Sequence, residues 1–203
     1  LEYGSIEDGS NDQSLEAYIN MPLGANTAVR VSAYDLQDGG WIDNELSTKT
    51  FTNSGYTIDN SAFAEDDYNE LNKSGYRIRL ASEIMGQNLD LSMLDQTSEF
   101  GGSWETDEAV GPRSNSRFNE EYFDDDFSQI SLSLSGDLND NVEYIFTASS
   151  FERDVEYTYD YSEYVEYYNY DGPTYTCDYY DYYYYYNISG CQDPRMSYTQ
   201  IDN

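Results

Sequence analysis

Apolar and polar residues alternate with period two along much of this chain. In residues 127–151, Ile130, Leu132 and Leu134 alternate with Ser131, Ser133 and Ser135. Further on, Val142, Tyr144, Phe146 and Ala148 alternate with Glu143, Ile145, Thr147 and Ser149. Period two puts one set on each face of a strand. Residues 136–141 between them are polar and rich in Asp and Asn, which predicts a tight turn and hence a β-hairpin. The same alternation predicts strands at residues 1–8, with a turn at 9–12, and then at 15–21, 29–34, 76–81 and 89–94, with a last strand starting at Met196. Short turns fall at 24–26 and 85–88.

The connections alternate in length: short at Gly24, Met85 and Asp137, long and polar over residues 38–72, 98–126 and 152–194. In an antiparallel meander this segregates short turns to one end and long loops to the other, as in outer-membrane barrels. The apolar arms suit a tilted strand, which crosses a bilayer with about 9–11 residues. The opposite face carries Glu16, Arg30, Arg77, Arg79, Glu83, Asp90 and Glu143, a pattern that fits a wet lumen and a lipid exterior. The expected fold is all-β: one partial domain over residues 1–203, an antiparallel up-and-down transmembrane β-barrel segment with short periplasmic turns and long extracellular loops. Two other readings share the alternation: a soluble antiparallel sheet with one solvated face, and a closed eight-stranded barrel filled by side chains. No run of about 18 apolar residues predicts a transmembrane helix, which leaves a barrel open. The chain starts and stops inside strand-like patterns, without an initiator Met or signal peptide, so a processed or partial chain is expected.

Charge sharpens this picture. The formal net charge is −31, with 9 Lys and Arg, 40 Asp and Glu and no His. Nucleic acid is excluded as a partner, because a phosphate-binding surface needs clustered basic residues. Most of the acidic residues lie in the three long connections. Such a composition also fits disorder, but 24 tyrosines and the alternating segments argue for folded strands. The two cysteines, Cys177 and Cys191, flank a tyrosine-rich stretch and lack metal-binding spacing. They read as one disulfide in an oxidising compartment or as two free thiols.

Several stretches resemble a known family. Tyr3-Gly4-Ser5, the run from Gln13 to Leu23 (QSLEAYINMPL), Thr27 to Tyr34 (TAVRVSAY) and Asp38 to Asn44 (DGGWIDN) are similar to the early barrel of TonB-dependent outer-membrane receptors. Tyr76-Arg77-Ile78-Arg79-Leu80 resembles the next strand. The likeness is strongest over residues 3–44 and weak in the loops. It implies a 22-stranded barrel closed by a plug domain and driven by the TonB system to import a scarce ligand. This chain would supply about eight of the strands, within the barrel sizes known, and neither the plug nor the later strands.

Chemistry is sparse. Without His, His-based triads and most zinc sites are excluded, and no nucleophile elbow or phosphate-binding glycine loop is present, so no enzyme is expected. Residues 137–143 imitate a calcium loop but lack its Gly and terminal Glu. The runs Glu65-Asp66-Asp67 and Asp124-Asp125-Asp126 read as solvated loop faces, with Ca²⁺ as the weaker alternative and no other cofactor. Val155, Tyr157, Tyr159 and Tyr161 alternate with polar residues, as if the strand continued as a ribbon beyond the bilayer, part of it serving as an aromatic girdle. Between the cysteines lie Tyr179, Tyr180 and Tyr182, Tyr183 and Tyr184, either a ligand surface or a low-complexity loop packed on its neighbours.

The expected function is therefore ligand binding and uptake in the outer membrane of a Gram-negative bacterium. Trp41, Trp104 and the tyrosine cluster are the candidate ligand contacts, and Arg30, Arg77 and Arg79 the lumen-facing ones. Membrane lipid, the rest of a barrel and the TonB system acting through a plug are the partners. The alternative is an extracellular structural or adhesive β-protein, since open edges and tyrosine-rich strands also suit a fibre.

Overall fold

The computed structural model describes residues 1–52, 55–167, 186–188 and 196–202. Strands β1 (Glu2–Ser5), β2 (Asn11–Pro22) and β3 (Thr27–Asp38) open the chain. The next segment holds three short strands, β4 (Asp43–Asn44), β5 (Thr48–Thr50) and β6 (Thr57–Asp59). Then come β7 (Leu71–Ile84), β8 (Gln87–Phe100), the short β9 (Ser114–Asn115), β10 (Tyr122–Asn139) and β11 (Val142–Asp160). Helix α1 (Ser162–Tyr167), β12 (Tyr186–Ile188) and β13 (Met196–Asp202) complete it. Nine strands form one antiparallel sheet in the order β1-β2-β3-β7-β8-β10-β11-β13-β12. Among the described residues β1 and β12 stand at its opposite edges, so these strands do not close into a small barrel.

The register explains the alternation. Cross-strand register partners carry Met21 to Val29, Leu80, Leu91, Leu132 and Ala148 in turn, one apolar residue per strand across six strands. A neighbouring row runs Ile19, Val31, Ile78, Met93, Ile130. Leu15, Ile19, Met21, Ile78, Leu91, Met93, Ile130 and Phe146 are all exposed. Among the described residues the sheet is thus a single layer with an uncovered apolar band. Arg30, Arg77, Arg79, Glu16, Asp90 and Glu143 occupy the other face by the same register.

This band runs obliquely to the strands. Met21 is the band's turn-side end on β2, whereas its partner through five pairings, Ala148, is the loop-side end on β11, where Ser150, Glu152 and Asp154 follow. On β2 the band extends toward the loops as far as Leu15, and on β11 it extends toward the turn through Phe146 and Tyr144. The slip is about six residues, roughly 20 Å at 3.4 Å per residue, across five spacings totalling roughly 24 Å. A level band therefore requires strands tilted by about 40°.

Several boundaries differ from expectation. The first hairpin is β1 (Glu2–Ser5) with β2 beginning at Asn11, so its five-residue turn lies at the loop end rather than among the short turns. The middle connection is 101–121, shorter than expected, because β8 runs to Phe100 and β10 starts at Tyr122. Asp124, Asp125 and Asp126 are thus strand residues; a ladder needs backbone partners, not apolar side chains. β10 likewise continues to Asn139, with an irregularity between Asp137 and Asn139, leaving only Asp140 and Asn141 in the turn. The long connections are not irregular throughout: β5 pairs with β6, and β4 pairs in parallel with β9, joining the first connection to the second. β11 does extend as a ribbon, but it stops at Asp160, whose Oδ1 accepts from the N–H and hydroxyl of Ser162 and starts α1.

The packed core lies in these connections, not on the sheet. Phe51 is 0% exposed and packs with Ile58, Phe118 and Val165, with Tyr161 against them. Gly40 is required there: a Cβ would sit 1.7 Å from the Asp67 carbonyl oxygen.

The β7–β8 turn supplies a stability prediction. Met85 and Gly86 both have positive φ, 54° and 78°, the geometry of a two-residue hairpin turn that favours Asn-Gly. Met85 is 98% exposed and contributes little packing. Met85→Asn is expected to raise the unfolding free energy by about 0.5–1 kcal/mol, and Met85→Ile to lower it, measured by equilibrium denaturation.

Candidate functional site

At the loop end, on the polar face of the sheet, a cavity of about 650 Å³ opens above β8, β10 and β11. Its walls are aromatic. Phe100 and Phe123 are cross-strand partners with centroids 5.7 Å apart at 87°, and Trp104 tilts against Phe100 at 5.7 Å and 57°. Phe123 stacks on its own partner Tyr157 at 5.9 Å, and Tyr157 meets Tyr159 and Tyr198 at 5.4 and 6.1 Å. Tyr161 continues the arc, 5.9 Å from Tyr198 and 5.1 Å from Tyr164. Each such pair contributes roughly 0.5–1.5 kcal/mol beyond its burial.

The register corrects the girdle expectation. Tyr157 and Tyr159 fall on the face of Ser149 and Thr147, opposite Phe146 and Ala148. They line the cavity side of the sheet rather than prolonging the apolar band.

The floor is polar and buried. Glu121, with its side chain 3% exposed, accepts from the backbone N–H of Asp160 at 3.0 Å and of Ser103 at 3.3 Å. Its carboxylate lies 3.6 Å from Arg117 Nε. Arg117 also donates to Glu105 at 2.9 Å. The Tyr68 hydroxyl lies 3.0 Å from the Ser103 carbonyl and 3.3 Å from Glu121, and receives a 2.6 Å bond from Asn115 Nδ2. Burial raises the Tyr68 pKa, and the Glu121 charge adds to it against the opposing Ser103, Asn115 and Arg117 contacts. Burial works to lower the Arg117 pKa, but Glu121, Tyr68 and Glu105 hold it above the ordinary value.

Asparagines tie this floor to the other connections. Asn44 Oδ1 accepts from the Arg117 N–H at 2.7 Å, while its Nδ2 donates to the carbonyls of Phe63 and Arg117. Asn60 bridges Glu45 and Ser47, and Asn69 Oδ1 accepts from the N–H groups of Trp41 and Ile42, both at 2.8 Å. Backbone groups that a sheet would satisfy are here satisfied by side-chain amides. Gly102 is confined sterically: a Cβ would lie 2.1 Å from the Tyr68 ring.

Of the expected site residues, Trp104 lines the cavity and is 64% exposed. Trp41 is held through its backbone by Asn69 and is not among the lining residues. Tyr179, Tyr180, Tyr182, Tyr183, Tyr184, Cys177 and Cys191 lie outside the described residues. The three arginines do come together, on the polar face toward the turns. Arg30 pairs across strands with Arg79, Arg79 donates to Asp90 at 2.7 Å, Arg77 donates to Ser92 at 3.1 Å, and the Arg30 guanidinium lies 4.3 Å above the Tyr18 ring. The acidic runs are dispersed. Asp67 accepts from Ser10 at 2.7 Å, Asp66 is exposed, and Asp125 holds Arg153 through two bonds of 2.7 and 2.8 Å. Asp124 and Asp126 project from the apolar face, where burial and then Glu99, Glu156 and Asp126 raise the Asp124 pKa. Among the described residues no three His, Cys, Asp or Glu side chains converge as a metal site. The cavity residues that the sequence reading missed include Phe100, Phe123, Arg117 and Tyr164 and the carboxylates Glu105, Glu121, Asp160 and Glu163.

Glu121→Ala removes the carboxylate beside Arg117 Nε and leaves the Asp160 and Ser103 N–H groups without their acceptor, while Glu105 still pairs with Arg117, so a loss of about 2–4 kcal/mol is expected in denaturant unfolding, with a shift in Trp104 emission. The raised Tyr68 pKa contributes stability that is present below the ordinary tyrosine value near 10.0 and lost as pH rises through the folded value. Tyr68→Phe should therefore flatten the alkaline limb of the stability profile relative to the parent protein. No protein-family model matches the chain, and no significant match is found among curated proteins or solved structures.

Proposed function

We propose that this chain is part of an outer-membrane receptor barrel that captures a scarce ligand for uptake. The observation that carries the reading is the uncovered apolar band and its slope. A single-layer sheet leaves this band with no protein partner among the described residues. Contiguous apolar patches of that extent mark a membrane or protein contact. The tilt of about 40° that would level the band falls within the 35–45° of outer-membrane barrel strands.

In this reading the apolar face meets lipid and the short turns are periplasmic. The long connections are extracellular, and the arginine face lines a lumen. The aromatic cavity then receives ligand from outside, above the lumen. The likeness of residues 3–44 to TonB-dependent receptors supports uptake energised by the TonB system through a plug, with further strands completing the wall. The sheet's open edges also suit an adhesive or fibrous β-protein, and the test separates the two.

The chain is expected to be monodisperse only in detergent or lipid. In vesicles, Leu132→Arg, in the middle of the band, should cost about 2–4 kcal/mol in reversible urea unfolding, whereas Ser133→Arg on the other face should cost much less. A water-soluble monomer, or detergent-free assemblies diffracting at about 4.7 Å, would overturn the membrane reading.

A further inference from the structure

The aromatic cavity carries a charge pattern that its role as a ligand contact does not explain. Four carboxylates line it, Glu105, Glu121, Asp160 and Glu163, against one guanidinium, Arg117. Glu121 is buried in the floor, while Glu105 and Glu163 stand exposed toward solvent. With the chain at −31 overall, the approach to this cavity repels anions and concentrates cations.

The rings select further. Among the rings that line the cavity, Phe100 and Phe123 meet at 87°, Phe100 and Trp104 at 57°, and Tyr161 and Tyr164 at 39°; in the stacked pair Phe123–Tyr157, 16° apart, only Phe123 lines it. Rings so inclined to one another form no single flat platform. A flat sugar face stacks best on a coplanar platform, whereas a rounded cation is attracted by every face within about 6 Å of it. Inclined rings with surplus carboxylates are the arrangement that recognises an ammonium group whose alkyl substituents need apolar walls.

We propose that this cavity binds an organic cation bearing an alkylated ammonium group. The inference rests on the receptor reading for the side from which the ligand arrives. Its recognition chemistry rests on the cavity alone. A free ammonium compound fits better than a phosphocholine headgroup, whose phosphate would meet the carboxylates.

The test uses the full chain in a non-ionic polyoxyethylene detergent, with choline as probe and 3,3-dimethylbutan-1-ol as its uncharged isostere. Trp41→Phe isolates the Trp104 signal. Choline is expected to change Trp104 emission saturably, and the isostere to bind at least roughly tenfold more weakly. Trp104→Ala should weaken choline binding roughly tenfold by calorimetry, Glu163→Gln should weaken it several-fold, and added salt should weaken it further. Equal binding of the isostere would overturn the proposal, as would a saturable response to maltohexaose without one to choline. Phosphocholine binding as tightly as choline would overturn the choice of a free ammonium ligand. Absence of choline binding in a chain that still requires detergent removes this inference alone. Choline binding by a chain that is monomeric without detergent removes the receptor reading and leaves the cavity assignment standing.

Discussion

A sheet one layer thick has nothing to bury between its faces, and that constraint governs the rest of this protein. Backbone hydrogen bonds satisfy each interior strand on both sides, but the free energy of burying apolar side chains has to come from whatever covers the face. Here the covering is not protein among the described residues. Six strands keep an unbroken parity over pairings that span most of the chain, because a slip of one residue would turn the apolar band onto the polar face.

The connections solve the opposite problem. They have a small core at Phe51, Ile58, Phe118 and Val165, and they carry many backbone groups with no sheet to join. Buried asparagines and the Glu121 carboxylate take over the work of a ladder, each accepting from or donating to two or more groups of distant segments. This makes the rim a fixed surface on which Trp104 and the tyrosines can be held in a set geometry. The cavity's shape is thus inherited from hydrogen bonds lying beneath it.

The strands were legible because period two is a local signal, visible within five or six residues at Ile130–Leu134 or Val29–Ala33. The sidedness of the connections was legible from their lengths. The face of the tyrosine ribbon was misjudged because residue type suggested an interface, whereas parity decides it: Tyr157 lies an odd number of residues beyond Phe146 in an unbroken strand. That signal was present in the sequence and needed only the strand's continuity. The contacts of Asn44 with Arg117, or of Tyr68 with Glu121, had no local trace, since they join positions far apart in the chain. Helix α1 was hidden by the Tyr-Glu repeat, which keeps the look of a strand until the Asp160 carboxylate turns the backbone.

The unequal strand lengths have a consequence for shape. With the band taken as a level line, β2 rises only a few residues above Leu15, while β11 continues from Ala148 to Asp160. At about 3.4 Å per residue and a tilt near 40°, one side of the rim stands roughly 20 Å higher than the other. The wall is lopsided, and the tall side bears the aromatic arc. For the proposed receptor, a molecule diffusing along the surface would meet that side as a backstop, with the low side as the approach and the high side as the place of arrest.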